Sequence, residues 1–220
     1  MKKLKLFSIF AVMAFCLAGL TACGGGFDPA ALLKGNLDVI YLGQCDDSHL
    51  KSVGLTKEEA QEYYEDGILV EADYFASYFD CEYDSLSEAT QQRIIDMYKQ
   101  IYTHSKYEIG DVSKNGETYL FALTISPIDV ISKFVNEDYE TFYADMETRY
   151  NSGEFDAMSD EEFDETWIVA ILDALEARLD SIGYLEPETI SVQIAKDTDG
   201  YYTITDNDFS RIDNMIIQYE

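Results

Sequence analysis

The chain has 220 residues, of which 15 are basic and 43 acidic, for a net charge of −28. A field of this sign repels phosphate backbones, so the composition excludes a nucleic-acid partner. With 47% hydrophobic and 14% aromatic residues, the chain is also too apolar to be a disordered acidic tail, and it should bury a core.

The first segment combines a basic head with a short apolar stretch. Lys2, Lys3 and Lys5 precede an uncharged run over residues 6–19. This order is typical of a secretory signal, and the run is short for a membrane span.

The run ends in Leu20-Thr21-Ala22-Cys23, which resembles the lipobox of bacterial lipoproteins. The resemblance implies cleavage before Cys23 and a diacylglyceryl group on its sulfur, and two acyl chains suffice for stable anchoring. The alternatives are a plain signal peptide or an uncleaved anchor. We therefore expect a signal peptide at 1–22, a lipidated cysteine and glycine tether at 23–26, and a single domain at 27–220, held at the outer face of the cell membrane.

Cleavage at this site would make the protein more acidic. Residues 1–22 contain three of the basic residues and none of the acidic ones, so 12 bases and 43 acids remain, a net charge of −31. Such a charge also holds the folded domain away from anionic lipid.

Helix start signals dominate the first half of the domain. Asp28 followed by Pro29 predicts a first helix, and Thr56 with Glu59 forms a capping box for a helix to about Phe79. A second box at Ser85 predicts a helix through Tyr102. Three helices are thus expected before the first strand.

In two segments, apolar and polar residues alternate with a period of two, which is typical of β-strands. The first has Asn115-Gly116 as the turn of a hairpin between Lys106 and Pro127, and the second pairs residues 190–194 with 202–204 across a turn at 197–200. Between them lie two helical stretches, the second opened by Ser159, and a short helix from Asp206 follows. We predict an α+β fold, with helices packed on a four-stranded antiparallel sheet made of two β-hairpins.

Four segments together resemble a family of secreted lipoproteins from Gram-positive bacteria. They are Gly35-Asn36-Leu37-Asp38, residues 55–60, residues 74–79 and Ser126-Pro127-Ile128-Asp129. The resemblance implies a cystatin-like or nuclear-transport-factor-like fold, in which a curved sheet wraps a helix around a cone-shaped pocket. It brings no catalytic residues, and the two helices between the hairpins depart from the usual order of those folds.

Catalytic and metal motifs are weak in this sequence. His49 and His104 lie 55 positions apart without metal-ligand spacing, and no Gly-x-Ser-x-Gly elbow occurs. Asp197-Thr198-Asp199-Gly200 lacks the EF-hand positions and suits a hairpin turn, and residues 160–162 suit a helix N-terminus. We predict no catalytic residue, no metal site and no cofactor.

Two cysteines remain in the mature domain once Cys16 is removed and Cys23 is lipidated. Cys45 and Cys81 could form a disulfide outside the cell or stay free thiols. Each follows the end of a predicted helix, and an antiparallel helix pair would hold them too far apart for the 7 Å that a bridge allows between Cα atoms.

Aromatic residues supply the remaining functional hint. Residues 63, 67, 70, 74 and 78 share a helical spacing, as do residues 163, 167, 171, 175 and 179, and such rows usually face the core. Seventeen tyrosines nevertheless exceed what a core easily satisfies, so some should face solvent, where tyrosine suits contacts with sugars or peptides.

Three functional classes follow from these features. The first is a non-catalytic binding module that meets a small molecule, peptide or wall glycan. The second is an interaction or structural lipoprotein of an envelope assembly, which predicts a flat aromatic patch. The third is an enzyme that uses acids alone, which predicts facing carboxylates with a raised pKa in a cleft.

Overall fold

A computed structural model describes residues 28–196, 200 and 202–219. The expected signal peptide, the lipidation site at Cys23, the tether and turn residues 197–199 lie outside this range. Within it, no helix combines the length and apolarity needed to cross a bilayer.

Groups of helices alternate with two pairs of consecutive strands, as the α+β prediction requires. The helices are α1 (Pro29–Leu42), α2 (Asp47–Val53), α3 (Lys57–Tyr78), α4 (Glu88–Tyr102), α5 (Val130–Lys133), α6 (Tyr139–Asn151), α7 (Asp160–Glu176) and α8 (Asp206–Ile216). The strands are β1 (Lys106–Asn115), β2 (Thr118–Ser126), β3 (Glu188–Lys196) and β4 (Tyr202–Ile204).

The four strands form one antiparallel sheet in the order β1-β2-β3-β4. Its two outer pairs are the predicted hairpins, so the fold class is confirmed. Leu123 of β2 pairs with Ile109 of β1 and Ile190 of β3, and the register between β1 and β2 shifts between Ile109 and Val112. The resemblance to a cystatin-like or nuclear-transport-factor-like cone stays a prediction.

The first hairpin turns one residue later than predicted. Asn115 still pairs with Thr118, so the two loop residues are Gly116 and Glu117. Gly116 has a φ of 63°, which a glycine adopts without steric cost. A positive φ at the first central position is the type II′ pattern, whereas the predicted Asn-Gly turn would have placed glycine second.

Side-chain caps begin most of the predicted helices. The Asp28 carboxylate accepts from the N–H groups of Ala30 and Ala31 at the start of α1. Thr56 and Glu59 exchange the reciprocal bonds of a capping box, and Ser159 with Glu162 does the same before α7. These starts are confirmed.

The predicted start of α4 at Ser85 is wrong. Ser85 ends a 3₁₀ turn and donates its hydroxyl to the Glu82 carbonyl, while Leu86 is buried in an extended conformation. The chain can therefore enter the helix only at Ser87, whose Oγ accepts from the Thr90 N–H.

The expectation of three helices before the sheet is also wrong, because α2 was missed. Its cap is Asp46, which accepts from the N–H groups of Ser48 and His49, and Gly54 ends it with a φ of 74°. Only Leu50 and Val53 of its seven residues are buried, too few for an apolar period.

The described residues cluster into two compact units, each with its own core. Within the described ranges, the first comprises residues 28–70, 105–126 and 186–216, and the second comprises residues 71–104, 127–185 and 217–219. The boundary after Val70 falls inside α3. The assignment of residues 27–220 to a single domain stays a prediction.

The first unit contains the sheet, α1, α2, α8 and the beginning of α3. The central inward side chains of β2 and β3 are buried, as are apolar residues of α1 and α8. This core includes Leu33, Leu37, Tyr41, Phe121, Leu123, Val192, Ile194, Phe209 and Ile212.

The second unit is helical and rich in aromatic contacts. Phe79 packs against Phe75 and Phe134 with ring centroids 5.1 and 6.2 Å apart. A five-residue π-helical turn, Phe134–Asp138, joins α5 to α6. Such a turn contains one residue more than a turn of α-helix. Buried Ile168, Ile171, Leu172 and Leu175 form the apolar face of α7.

The apolar row predicted along α3 was assigned to the wrong face of the helix. Tyr74 in that row is 53% exposed, and its other four members are partly exposed. The buried face instead runs through Ala60, Tyr64, Ile68, Ala72, Phe75 and Phe79. Of the second predicted row, Ile171, Leu175 and Leu179 are buried while Phe163 and Trp167 keep a solvent-facing part.

Candidate functional site

A pocket of about 330 Å³ lies in the first unit, at the junction of α1 and α2. It is lined by Gly35, Asp38, Gln44, Cys45, Asp46 and His49. Its volume is at the lower end of the range for small-molecule sites. Four titratable side chains converge here, those of Asp38, Cys45, Asp46 and His49.

The His49 ring lies directly on the backbone of Gly35. A Cβ at position 35 would stand 2.2 Å from His49 Nδ1, so only glycine admits the ring at this distance. His49 Nε2 donates to the Oδ1 of buried Asn36 over 3.1 Å, which assigns the proton of the neutral ring to Nε2. Burial lowers the pKa of His49, against the opposing fields of Asp38 and Asp46.

The two carboxylates of the pocket are already engaged by the protein. Asp38 accepts from the Tyr107 hydroxyl over 2.7 Å and pairs with Lys34. Asp46 caps α2 and accepts from the Ser48 hydroxyl, and the hydroxyl bond is the main reason that the pKa of Asp46 is lowered. The lowered pKa of Asp46 is the opposite of the raised pKa that the enzyme class requires.

Cys45 and Cys81, the cysteines within the described ranges, are both free thiols. Burial raises the pKa of the Cys45 thiol, with a smaller opposing effect from Lys57. Cys81 is buried in the second unit, where desolvation raises its pKa to about 12 and its Sγ contacts the Phe79 and Asp164 carbonyls at 3.7 Å. A thiol of raised pKa is a poor nucleophile, so neither cysteine is activated for catalysis.

The pocket is therefore best explained as the packing junction of α1 and α2. Its histidine and carboxylates hold neighbouring residues in place. Among the residues that the structure describes, no group of three His, Cys, Asp or Glu side chains is placed to hold a metal ion.

A second candidate lies on α6 in the second unit, where acids and tyrosines alternate. Glu140, Tyr143, Glu147 and Tyr150 are spaced by three, four and three residues, which places them on one face of the helix. All four are exposed, and the two tyrosines are 53% and 62% exposed. We call these four residues the Glu–Tyr row.

Rings of α7 support both tyrosines from the side. Tyr143 meets Trp167 edge to face at a centroid distance of 6.2 Å, and Tyr150 meets Phe163 at 6.3 Å. Trp167 donates its Nε1–H to the Phe79 carbonyl over 3.0 Å, which fixes the indole. The tyrosine rings therefore stand on an ordered aromatic base instead of extending freely into water.

The neighbourhood of the row is strongly acidic. Residues 139–176 contain twelve acids against one arginine, a net charge of −11. That arginine, Arg149, is held by Glu154 through its Nε and Nη2, with the shortest contact at 2.7 Å. The carboxylates of Glu140 and Glu147 have no ion pair with any residue of the described ranges.

Sequence reasoning missed this row although its signal is present. The glutamates between the tyrosines interrupt any apolar period, so an apolar pattern does not include this row. A search for aromatics at intervals of seven residues on a helix would have found Tyr143 and Tyr150. The broader expectation that some tyrosines face solvent is confirmed by Tyr74, Tyr143, Tyr150 and Tyr184.

The other residues considered as sites in the sequence have structural roles where the structure describes them. His104 follows α4, and its carbonyl accepts from the Tyr184 hydroxyl. Residues 160–162 open α7, with Glu162 in the capping box. Cys23 and the acidic turn at 197–199 lie outside the described ranges.

Comparison with known proteins places the fold but not the activity. No protein-family model matches the chain, and no curated protein matches it. The fold is similar to the crystal structure of a "putative lipoprotein" (ycdA) from Bacillus subtilis, with a TM-score of 0.56 and 16% sequence identity. The match covers 86% of this chain and 56% of that chain, so this chain spans little more than half of the length of its structural neighbour. At this identity, the similarity shows a shared α+β fold.

Proposed function

We propose that the protein is a lipid-anchored, extracytoplasmic binding protein that uses the Glu–Tyr row of α6 to hold a partner molecule. The anchor is Cys23, and the lipobox pattern supports it. The lipoprotein description of the structural neighbour agrees with this assignment. No catalytic step is part of the proposal.

The exposed tyrosine pair is the observation that carries the function. Burying an exposed aromatic ring yields more contact energy than burying most other side chains, and tyrosine loses little entropy on binding. Tyr143 and Tyr150 are more than half exposed yet rest on Trp167 and Phe163, so the surface is largely formed before a partner arrives.

The shape of the row favours an elongated ligand. Seven residues separate the two tyrosines, which corresponds to about 10 Å along a helix. A linear surface of this kind suits a peptide segment better than a compact small molecule, which prefers a concave site. A peptide of an envelope partner would unite the binding and assembly classes derived from the sequence.

Trp167 provides a direct test because it is the one tryptophan in the sequence. The full chain, extracted from membranes in a nonionic detergent, is titrated with chitotetraose, an acidic nonapeptide and a basic nonapeptide while indole emission is recorded. We expect at least one peptide to shift the emission, and the shift to disappear in the Tyr143→Leu/Tyr150→Leu variant.

The same titration of a Tyr74→Leu variant is the control, since Tyr74 is equally exposed but lies on α3. A response that is unchanged by the row substitutions, or no response to any of the three probes, contradicts the proposal.

A further inference from the structure

The chemistry of the Glu–Tyr row selects one class of peptide. The row consists of two Glu–Tyr repeats, each with a carboxylate and, three residues further along, a phenol ring that is more than half exposed. A guanidinium or ammonium group can meet both at once, since it pairs with the carboxylate and is attracted to the electron-rich ring face. The two repeats, Glu140 with Tyr143 and Glu147 with Tyr150, supply two such places.

The charge around the row favours the same class. Arg149 is already neutralised by Glu154 and Arg178 by Asp138, and Arg93 of α4 pairs with Asp173 and Glu176 at the far end of α7. A net charge of −11 over residues 139–176 repels anionic polymers and anionic lipid surfaces and attracts cations.

The repeat length then predicts the spacing of charges in the ligand. Equivalent points of the two repeats are seven helical residues apart, about 10 Å. An extended peptide covers about 10 Å in three residues. We propose that the row binds an extended segment of a partner protein that carries arginine or lysine at every third residue. This inference rests on the proposed function and specifies its ligand.

Two peptides of equal composition separate this proposal from general charge attraction. One repeats Arg-Ser-Gly three times, and the other has the three arginines first and the serines and glycines after them. Both carry a fluorescein label, and binding to the full chain in nonionic detergent is followed by anisotropy, with Trp167 emission as a second readout. We expect the spaced peptide to bind about fivefold more tightly or better.

Matched variants locate the binding surface. Glu140→Gln/Glu147→Gln and Tyr143→Leu/Tyr150→Leu should each weaken the spaced peptide about tenfold. Glu58→Gln/Glu62→Gln removes the same charge from exposed positions of α3 and should change the affinity by no more than about twofold. Thermal melts of all variants confirm that they are folded.

Each outcome decides between the inference and the broader function. Equal binding of the two peptides, or equal weakening by the α3 control pair, overturns the inference and indicates diffuse charge attraction. If chitotetraose or the acidic nonapeptide binds through Tyr143 and Tyr150 while the arginine peptides do not, the inference fails and the proposed function stands. If no probe binds at the row, both fail.

Discussion

The contact between His49 and Gly35 shows how one residue type is selected by its neighbour. Glycine in a helix interior costs about 1 kcal/mol relative to alanine. Here the cost is offset because the missing Cβ lets the imidazole reach Asn36, a buried side chain that would otherwise lack this hydrogen bond.

Substitution of Gly35 tests this explanation. We expect Gly35→Ala to lower the free energy of unfolding by about 1 kcal/mol or more, because the new methyl group overlaps His49. Gly67→Ala in α3 is the matched control: its Cβ would meet no atom within 4 Å, so it should stabilise by about 0.5–1 kcal/mol. Urea unfolding measures both, and equal stabilisation by the two substitutions would contradict the proposed contact.

Asp213 couples the stability of the first unit to pH. Burial raises its pKa from 3.8 to about 6, against a lowering effect of the hydrogen bond from the Tyr41 hydroxyl. The folded state therefore keeps a proton that the unfolded chain has released. Stability from this group is fully present below about pH 4 and is lost as the pH rises through 6.

The Asp213→Asn variant should not show this loss, because asparagine stays neutral and keeps an oxygen for Tyr41. Relative to the natural protein, we expect the variant to gain up to about 3 kcal/mol between pH 4 and pH 7. Chemical unfolding at the two pH values measures this difference. A stability difference that is the same at both would show that Asp213 ionises normally in the folded state.

At the scale of elements, capping residues predicted the starts of helices better than apolar periodicity predicted their buried faces. Thr56, Ser159 and Asp28 were assigned correctly because a cap depends on a few adjacent residues. Ser85 and Ser87 both fit a capping pattern, and the burial of Leu86, a tertiary effect, decides between them. The face of α3 was misassigned for the same reason, since burial of Phe75 and Ile68 depends on distant partners.

The corrected start of α4 can be measured directly. Ser87 Oγ accepts from the Thr90 N–H and donates to Glu165 over 2.7 Å, so Ser87→Ala should cost about 1–2 kcal/mol of stability. Ser85→Ala removes only an exposed bond to the Glu82 carbonyl and should cost no more than about 0.5 kcal/mol. The reverse order in thermal unfolding would restore Ser85 as the cap.

For the candidate site, the sequence alone could predict exposed tyrosines but not their arrangement. The count of tyrosines requires some to face solvent, whereas the support of Tyr143 by Trp167 depends on the packing of α6 against α7. Conversely, the pocket residues looked functional by type, yet the structure engages Asp38, Asp46 and His49 in internal bonds.

At the scale of the whole molecule, the proposed lipid anchor and the acidic domain would have separate roles. The anchor would determine where the protein is held, and the charge keeps the domain away from anionic lipid and exposed to cationic partners. We expect Cys23→Ala to move the protein from the membrane fraction to the medium, measured by fractionation and immunoblotting. Retention of the variant in the membrane fraction would rule out the proposed anchor.

Binding of the labelled Arg-Ser-Gly peptide to intact cells that display the protein tests the central claim most directly, because it requires both surface exposure and the Glu–Tyr row. The measurement is cell-bound fluorescence at matched protein levels for the natural protein, the Tyr143→Leu/Tyr150→Leu variant and cells without the protein. The account predicts labelling of cells with the natural protein and background labelling of the other two. Equal labelling of the natural protein and the row variant would contradict it.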